Sequence, residues 1–534
     1  MFVLLCLTCS NREKDKKEFL WGASFSGFQA DMGGGDEYNY KNSDWWVWLH
    51  DEQNIRNKIV SGDLPEQSAG FLKYYEQDLS RAKALKLNAF RYGPEWSRVF
   101  PESTTKIPVK VERDENGLIK HIEITEETIN ELDKIADKTA VELYRKIYLK
   151  MRELGLEPFV VVHHFVLPLF VHNPLSCRDW YSDSDRTKKP VCYGEPSGWL
   201  SETAIVEYVK YVAYIASKLG DLVDMWATLN EPMVISSMGY LVSKISIISS
   251  FPPNGLSFDD FASVSKNLVV AHSRAYDVIK KFDKSDANKD GVDSWVGIVH
   301  ATPYFDPFSQ EEIDLKAVEK AKYVNNFWFI DAVAKGEFDE DLGGDSQPIS
   351  VDHLKRLDFV GINYYTRLKV KYIPLEKKYG FEFLPDYPPC PTSTPTDKCP
   401  YGSNDFGWEI YPPGIQNVIL EMWNRYKIPI IVSENGTSDA DDDHRPWYLV
   451  SHIYEVFEAR KKGADVRGYF HWAFMDNLEW SAGFGQKFGL FEVDFSDPAK
   501  PRKARKSAEI YKEIAENNGI SEKLLGVYLK SVQK

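Results

Sequence analysis

Two glutamates, far apart in the chain, each end an apolar run of β-strand character. Glu231 closes Met-Trp-Ala-Thr-Leu-Asn-Glu-Pro, and Glu434 closes Ile-Pro-Ile-Ile-Val-Ser-Glu-Asn-Gly. Carboxyl groups converging from different strands suit hydrolysis of a glycosidic bond, one as acid/base and one as nucleophile. Retention at the sugar carbon needs them roughly 5–5.5 Å apart, against about 6.5–9.5 Å for inversion. The expectation is a retaining β-glycosidase.

Other polar and aromatic side chains stand at the ends of similar runs. Gln29 follows the first, Arg91 lies on the second, and His163 and His164 end the third. Asn230 precedes Glu231, and Asn363, Tyr364 and Tyr365 end the sixth. Trp472, Glu479 and Trp480 belong to the last run and the loop after it. A lone histidine at a strand end is usually a satisfied structural group, and a lone arginine a surface charge. Hydrogen-bonding groups at seven of eight ends are harder to dismiss, and they outline a polar pocket.

The elements that must position these groups alternate. Strand-like runs fall at 19–24, 89–96, 157–164, 225–232, 296–304, 358–365, 428–436 and 467–474. Most are continuously apolar, as in strands buried on both faces. Between them Phe71, Tyr75, Leu79, Ala82 and Leu85 recur at helical spacing, as do Ile205, Val209, Val212 and Ile215. Further helices are expected over 126–154, 258–282, 310–335, 415–426, 445–462 and 504–518. Eight alternations without a repeat or linker read as a single α/β domain, a (β/α)8 TIM barrel over 18–534. Long irregular stretches at 166–198, 233–257 and 367–413 follow strands 3, 4 and 6, on the face where barrel active sites lie. There they would wall a deep pocket. Asn116-Gly117 marks a hairpin turn in an insertion after strand 2.

A formal net charge of −15 and the lack of a basic block argue against nucleic acid or an anionic membrane as the partner. Met1–Cys9 is apolar, but too short to span a bilayer and without the basic start of a secretion signal. Residues 1–17 are read as an extension, disordered or a short targeting segment. The six cysteines fall into local pairs, Cys6/Cys9, Cys177/Cys192 and Cys390/Cys399. The last two pairs suit loop-stapling disulfides, with reduced thiols the alternative, and the spacings make no convincing zinc site.

The motifs Phe-Leu-Trp-Gly-Ala, Thr-Leu-Asn-Glu-Pro, Gly-Ile-Asn-Tyr-Tyr-Thr, Val-Ser-Glu-Asn-Gly and Asp-Asn-Leu-Glu-Trp, with Phe-Gly-Leu after the last, run from Phe19 to beyond Asp494. Through them the chain resembles glycoside hydrolase family 1. Ser61–Glu66 (Ser-Gly-Asp-Leu-Pro-Glu) and Pro196–Ser201 (Pro-Ser-Gly-Trp-Leu-Ser) resemble its archaeal β-glycosidase branch. The resemblance implies Glu231 as acid/base and Glu434 as nucleophile, with Arg91 and Tyr365 contacting the nucleophile. It implies Asn230 on the sugar 2-hydroxyl and Asn363 beside the acid/base. Gln29, His164, Glu479 and Trp480 would bind the other hydroxyls, with Trp472 as platform. Arg91 should keep Glu434 ionised, while Glu231 should carry the raised pKa of a proton donor. No metal or cofactor is required.

In one place the sequence departs from the family. The usual His-Trp reads His164-Phe165, which loses an indole donor and should relax discrimination at the 3-hydroxyl. Glu479 would repel a sugar phosphate, so unphosphorylated β-D-glucosides, β-D-galactosides and β-D-fucosides are the expected substrates. The rival readings are a 6-phospho-β-glycosidase, a transglycosylating enzyme and a non-catalytic sugar-binding protein. Loss of a glutamate would mark the last, and both are present. The archaeal resemblance implies a cytoplasmic, thermostable homo-oligomer, whereas the apolar N-terminus and loop cysteines leave export open.

Overall fold

The structure, a computed structural model, describes residues 18–241, 251–343, 347–373, 381–383 and 400–529. The N-terminal extension, Cys6/Cys9, Cys390/Cys399 and parts of the second and third long loops lie outside the described residues.

Eight strands close into one parallel barrel: β1 (Leu20–Ser24), β2 (Ala89–Arg91), β3 (Glu157–His163), β4 (Met225–Asn230), β5 (Trp295–Ala301), β6 (Phe359–Asn363), β7 (Ile430–Asn435) and β8 (Val466–Trp472). Each pairs with its neighbours in chain order, and β8 closes on β1, with Ser24 opposite Trp472. The crossovers carry α1 (Phe71–Ala84), α2 (Lys138–Glu153), α3 (Glu202–Leu219), α4 (Phe258–Phe282), α5 (Trp328–Lys335), α6 (Pro412–Tyr426) and α7 (Arg445–Lys461), and α8 (Lys506–Glu516) follows β8. This is the expected (β/α)8 TIM barrel.

The strands read as unbroken apolar runs because both of their faces are buried. Outward residues such as Val160, Trp226, Ile298 and Val432 pack under the helices. Inward residues form a separate apolar plug of Phe159, Val161, Met225, Val299, Phe359, Ile431 and Phe470. Phe159 meets Phe359 and Phe470 edge-on at 5.7 and 5.4 Å, a favoured aromatic geometry. Gly22 makes room for this plug, since a Cβ there would lie 2.3 Å from the Phe470 ring. The guanidinium of Arg91 sits 5.9 Å above the Phe159 ring, so apolar filling gives way to polar chemistry there.

Several expected boundaries move. The helix at 126–154 breaks after Ile135, because Asp137 turns its carboxylate onto the N–H groups of Thr139 and Ala140 and starts α2. The run 89–96 is strand only to Arg91 and re-enters helix at Trp96. The run 296–304 stops at Ala301; Tyr304–Pro307 pairs instead with Arg367–Tyr372 in an outer sheet. The helical span 310–335 divides into Glu312–Lys322, a π turn at Tyr323–Phe327, and α5. Ala504 leaves the last helix to pair with Phe491. The Asn116-Gly117 hairpin is present, joining Lys110–Arg113 to Ile119–Glu123. Cys177 and Cys192 are disulfide-bonded, which staples the loop after β3.

Candidate active site

The strand ends bring all eleven candidate side chains into one group. Register irregularities fall beside three of them: at Ala227/Asn230 between β4 and β5, at Ile362/Asn363 between β6 and β7, and at Val432/Asn435 between β7 and β8. Such bulges re-aim side chains at barrel rims. β5 supplies no site side chain, but it braces its neighbours. Its Val299 carbonyl accepts the Glu231 N–H at 2.7 Å, and Thr302 just beyond it donates its N–H to the Asn363 carbonyl at 2.9 Å.

Glu434 receives a donor on each oxygen. Arg91 Nη1 pairs with Oε1, and the Tyr365 hydroxyl donates to Oε2 at 2.5 Å. Arg91 is 1% exposed and Glu434 3%, so this ion pair is shielded from solvent. A buried arginine is a fixed charge, and charge-assisted bonds to a carboxylate are the strong class. The glycine of the Glu-Asn-Gly motif lets β7 approach β8 closely, because a Cβ on Gly436 would lie 1.7 Å from the Trp472 carbonyl oxygen.

Glu231 is held differently. Its Oε1 accepts from Asn363 Nδ2 at 2.8 Å, and no cation among the described residues forms an ion pair with it. Its backbone is left-handed (φ 47°, ψ 61°), between the last residue of β4 and the helix Pro232–Tyr240. For a non-glycine residue that conformation costs about 1–3 kcal/mol and persists only where the surroundings enforce it. A hydrogen-bonded chain joins the two glutamates. Asn363 also donates to Asn230 Oδ1 at 3.3 Å, and the same oxygen accepts from Arg91 Nη2 at 2.7 Å. Ser433 Oγ donates to Asn363 Oδ1 at 2.8 Å, which fixes the orientation of that amide. Asn230 Nδ2 then faces His164 Nε2 at 3.0 Å. Burial and the Arg91 charge push His164 well below its ordinary value, so the ring is neutral and Nε2 accepts.

The remaining wall is aromatic with one acid. Gln29, in the turn Gly27–Ala30 after β1, donates from Nε2 to the Leu478 carbonyl at 2.9 Å and to Glu479 Oε2 at 3.3 Å. His164 packs against Trp472 and Trp480 at 5.8 and 5.6 Å, with the rings inclined by 32° and 30°. Phe165, the departure from the family, is left-handed (φ 74°) and touches Trp480 at 5.0 Å and Phe251 at 5.1 Å. It presents an apolar edge where an indole would present a donor.

Of these three carboxyls Arg91 is committed to Glu434, while Glu231 and Glu479 accept from neutral amides. Burial first, and the Glu434 charge second, push Glu231 up to about 8. The same two causes push Glu479 up to about 8. At neutral pH Glu231 carries a proton it can give away, beside a carboxylate held by two donors. That division of labour is what acid-assisted nucleophilic displacement needs.

The sequence reading missed the supports. Ser433, Thr302 and Val299 act through backbone or second contacts, and only the Val-Ser-Glu spacing could have suggested Ser433. Phe406 and Trp408 also went unnamed; their rings stack at 4.5 Å, and Trp408 lies 5.5 Å from the Tyr365 ring, extending the aromatic wall. A glycine-tryptophan pair inside a long loop was the available signal. The sequence showed no metal-ligand cluster, yet the loop after β7 gathers Asp439, Asp441 and Asp443 with ligand oxygens within 4.8 Å of one another. Asp439 there accepts the N–H groups of His444 and Arg445.

Comparison with known proteins agrees with this geometry. The family model described as "Glycosyl hydrolase family 1" matches residues 12–112 and 189–520. A β-galactosidase of Pyrococcus woesei is 39% identical over 524 residues, covering 95% of this chain and 98% of its own. A β-galactosidase of Sulfolobus acidocaldarius is 38% identical over 519 residues, covering 95% and 96%. The crystal structure of the β-glycosidase from Thermosphaera aggregans superposes with a TM-score of 0.84 at 39% identity, covering 97% of this chain and 99% of that one. With a barrel of this topology and two glutamates at the ends of β4 and β7, the chain belongs to glycosyl hydrolase family 1 and is a glycoside hydrolase.

Proposed function

We propose that the protein is a retaining exo-β-glycosidase that hydrolyses unphosphorylated β-D-glucosides and β-D-galactosides, with β-D-fucosides as further substrates. In the first step a Glu434 oxygen attacks the anomeric carbon and the bond to the aglycone oxygen breaks. Glu231 gives its proton to that oxygen, and an ester joins Glu434 to the sugar. The ester removes the Glu434 charge, which is one of the two main causes of the raised Glu231 value. Glu231, now a carboxylate with a lowered proton affinity, takes a proton from water. The water oxygen attacks the anomeric carbon, the ester breaks, and the second inversion restores the configuration.

The observation that carries this reading is the unequal treatment of the two glutamates, one given a cation and a phenol, the other an amide alone. Asn230 is the group for the 2-hydroxyl, Gln29, His164, Glu479 and Trp480 for the others, and Trp472 the platform. The names of the relatives, β-galactosidase and β-glucosidase, support the two sugar classes. One β-glucosidase mutant similar to this chain is described as derived from a hyperthermophilic tetrameric structure, which supports a homo-oligomer.

The test is nitrophenol release from nitrophenyl-β-D-glucoside and -galactoside by wild type and Glu434→Gly. The variant should be inactive, and added azide should restore turnover with an α-glycosyl azide as product. A β-azide, or a folded wild type inactive on both sugars, would overturn the reading.

A further inference from the structure

Glu95 takes no part in the chemistry above, yet it is 4% exposed and bonded to the turn that carries Gln29. It follows β2 by four residues and directly precedes the helix Trp96–Val99. Its Oε1 accepts the backbone N–H of Phe28 at 3.0 Å, within the turn Gly27–Ala30. The turn is tied to the same extension of β2 a second time, where the Tyr92 hydroxyl donates to Asp31 Oδ1 at 2.8 Å. Both acids close on Gly27: an added Cβ there would lie 2.8 Å from Glu95 Oε1 and 3.1 Å from Asp31 Oδ2.

What that turn carries gives the contact its meaning. Gln29 lies in it, with its amide on Asn477, Leu478 and Glu479, and its carbonyl accepts the Leu478 N–H at 3.1 Å. The Phe28 ring runs parallel to Trp480, 6.1 Å away at an interplanar angle of 2°. Gln29, Glu479 and Trp480 therefore move with the turn. Arg91 and, through it, Glu434 move with β2. Glu95, beside the Tyr92–Asp31 bond, joins the two halves.

We propose that Glu95 is a positioning residue, which sets the Gln29–Glu479 pair at the correct distance from the Arg91–Glu434 pair by holding the Phe28 N–H. The inference rests on the reading of Gln29 and Glu479 as groups that receive sugar hydroxyls. Desolvation and the facing Asp31 push the Glu95 carboxyl well above its ordinary value, with Asp44 adding to the effect. Tyr92, Tyr40 and Arg98 face Asp31. An uncharged Glu95 is closely imitated by glutamine, and that supplies the control.

The experiment is steady-state kinetics on nitrophenyl-β-D-glucoside for the full chain and five variants: Glu95→Gln, Glu95→Leu, Gln29→Ala, Gly27→Ala and Glu95→Leu/Gln29→Ala. Glu95→Gln should stay within about 3-fold of wild type, and Glu95→Leu should raise KM about 10-fold with a smaller change in kcat. Gln29→Ala should raise KM at least as much, and the double variant should be no worse than Gln29→Ala alone, as for two residues acting through one contact. Should Glu95→Leu not fold, Gly27→Ala decides, since its methyl displaces the turn with both carboxyls intact and should raise KM about 3-fold or more. Multiplying losses in the double variant, a Glu95→Gln as impaired as Glu95→Leu, or a Gly27→Ala with wild-type KM would each overturn the proposal. An unchanged KM in Gln29→Ala would instead overturn the reading of the sugar site, and the inference with it.

Discussion

Glu231 and Glu434 are the same residue type at the same end of one barrel, and their surroundings differ in a single respect that matters. At the end of β7 the carboxylate meets a guanidinium and a phenol. At the end of β4 it meets the neutral Asn363 amide, and Glu479 likewise meets the Gln29 amide. Arg91 stabilises one negative charge in a buried site, and burial together with that charge favours the neutral acid at Glu231 and Glu479. Role follows from the placement of Arg91, which β2 delivers to Glu434. The comparison can be broken by asking each acid to do without what distinguishes it.

The largest effect is expected at Glu231. Glu231→Gln keeps the Asn363 contact but removes the transferable proton. Glycosides with alkyl leaving groups should lose about 10²–10⁴-fold in kcat/KM, the usual worth of general acid catalysis. Dinitrophenyl glycosides, whose leaving group needs no proton, should lose under about 10-fold in the same parameter. The fall of wild-type kcat/KM above pH 8, to which Glu231 and Glu479 at about 8 both contribute, should become shallower in the variant. Equal losses for both leaving groups would mean that Glu231 acts by shape or charge alone.

A smaller loss is expected on the other side. Tyr365→Phe removes the 2.5 Å hydrogen bond to Glu434 and leaves Arg91 in place. A hydrogen bond to a charged group contributes about 1.5–3 kcal/mol, or roughly 10–100-fold in rate. The loss should appear in kcat for every leaving group, dinitrophenyl included, because the nucleophile is needed for all of them. A loss confined to poor leaving groups would assign Tyr365 to the acid side instead.

The sequence made these groups legible because strand ends are where residue type and position coincide. An apolar run that stops at Asn-Glu-Pro or Ser-Glu-Asn-Gly leaves its last polar side chains nowhere to go but the rim. Arg91 was legible for the same reason, as a charge inside a strand whose neighbours are apolar. The supports were not legible. Glu95 holds the turn after β1 from beyond β2, and Ser433 orients an amide on the next strand; no local period records either contact. Boundaries failed where one residue outweighed a pattern, as when the side chain of Asp137 cut a long helical run in two. Loop aromatics such as Trp408 are as frequent in cores as in pockets, so their type alone decides nothing.

The smallest effect bears on stability, and there the two kinds of carboxyl should move in opposite directions. Glu479 sits at about 8 in the folded protein, against about 4.3 for an unfolded glutamate. Between those values the native state holds a proton that the unfolded chain has released. Stability therefore declines as pH rises from about 4.3 to 8 and levels off above, because the native state binds more protons there. Glu479→Gln removes that decline. At pH 9 the variant should gain on the order of 2 kcal/mol, discounted for partial solvent access, or about 2 °C in Tm for a chain of this size. At pH 4 it should match wild type. Glu434→Gln, by the same chemical change, leaves Arg91 buried without its partner and should lower Tm across the whole range. Scanning calorimetry of both variants at pH 4 and 9 measures the contrast. Two variants shifted in the same direction would show that the cation is shared among the carboxyls rather than committed to Glu434.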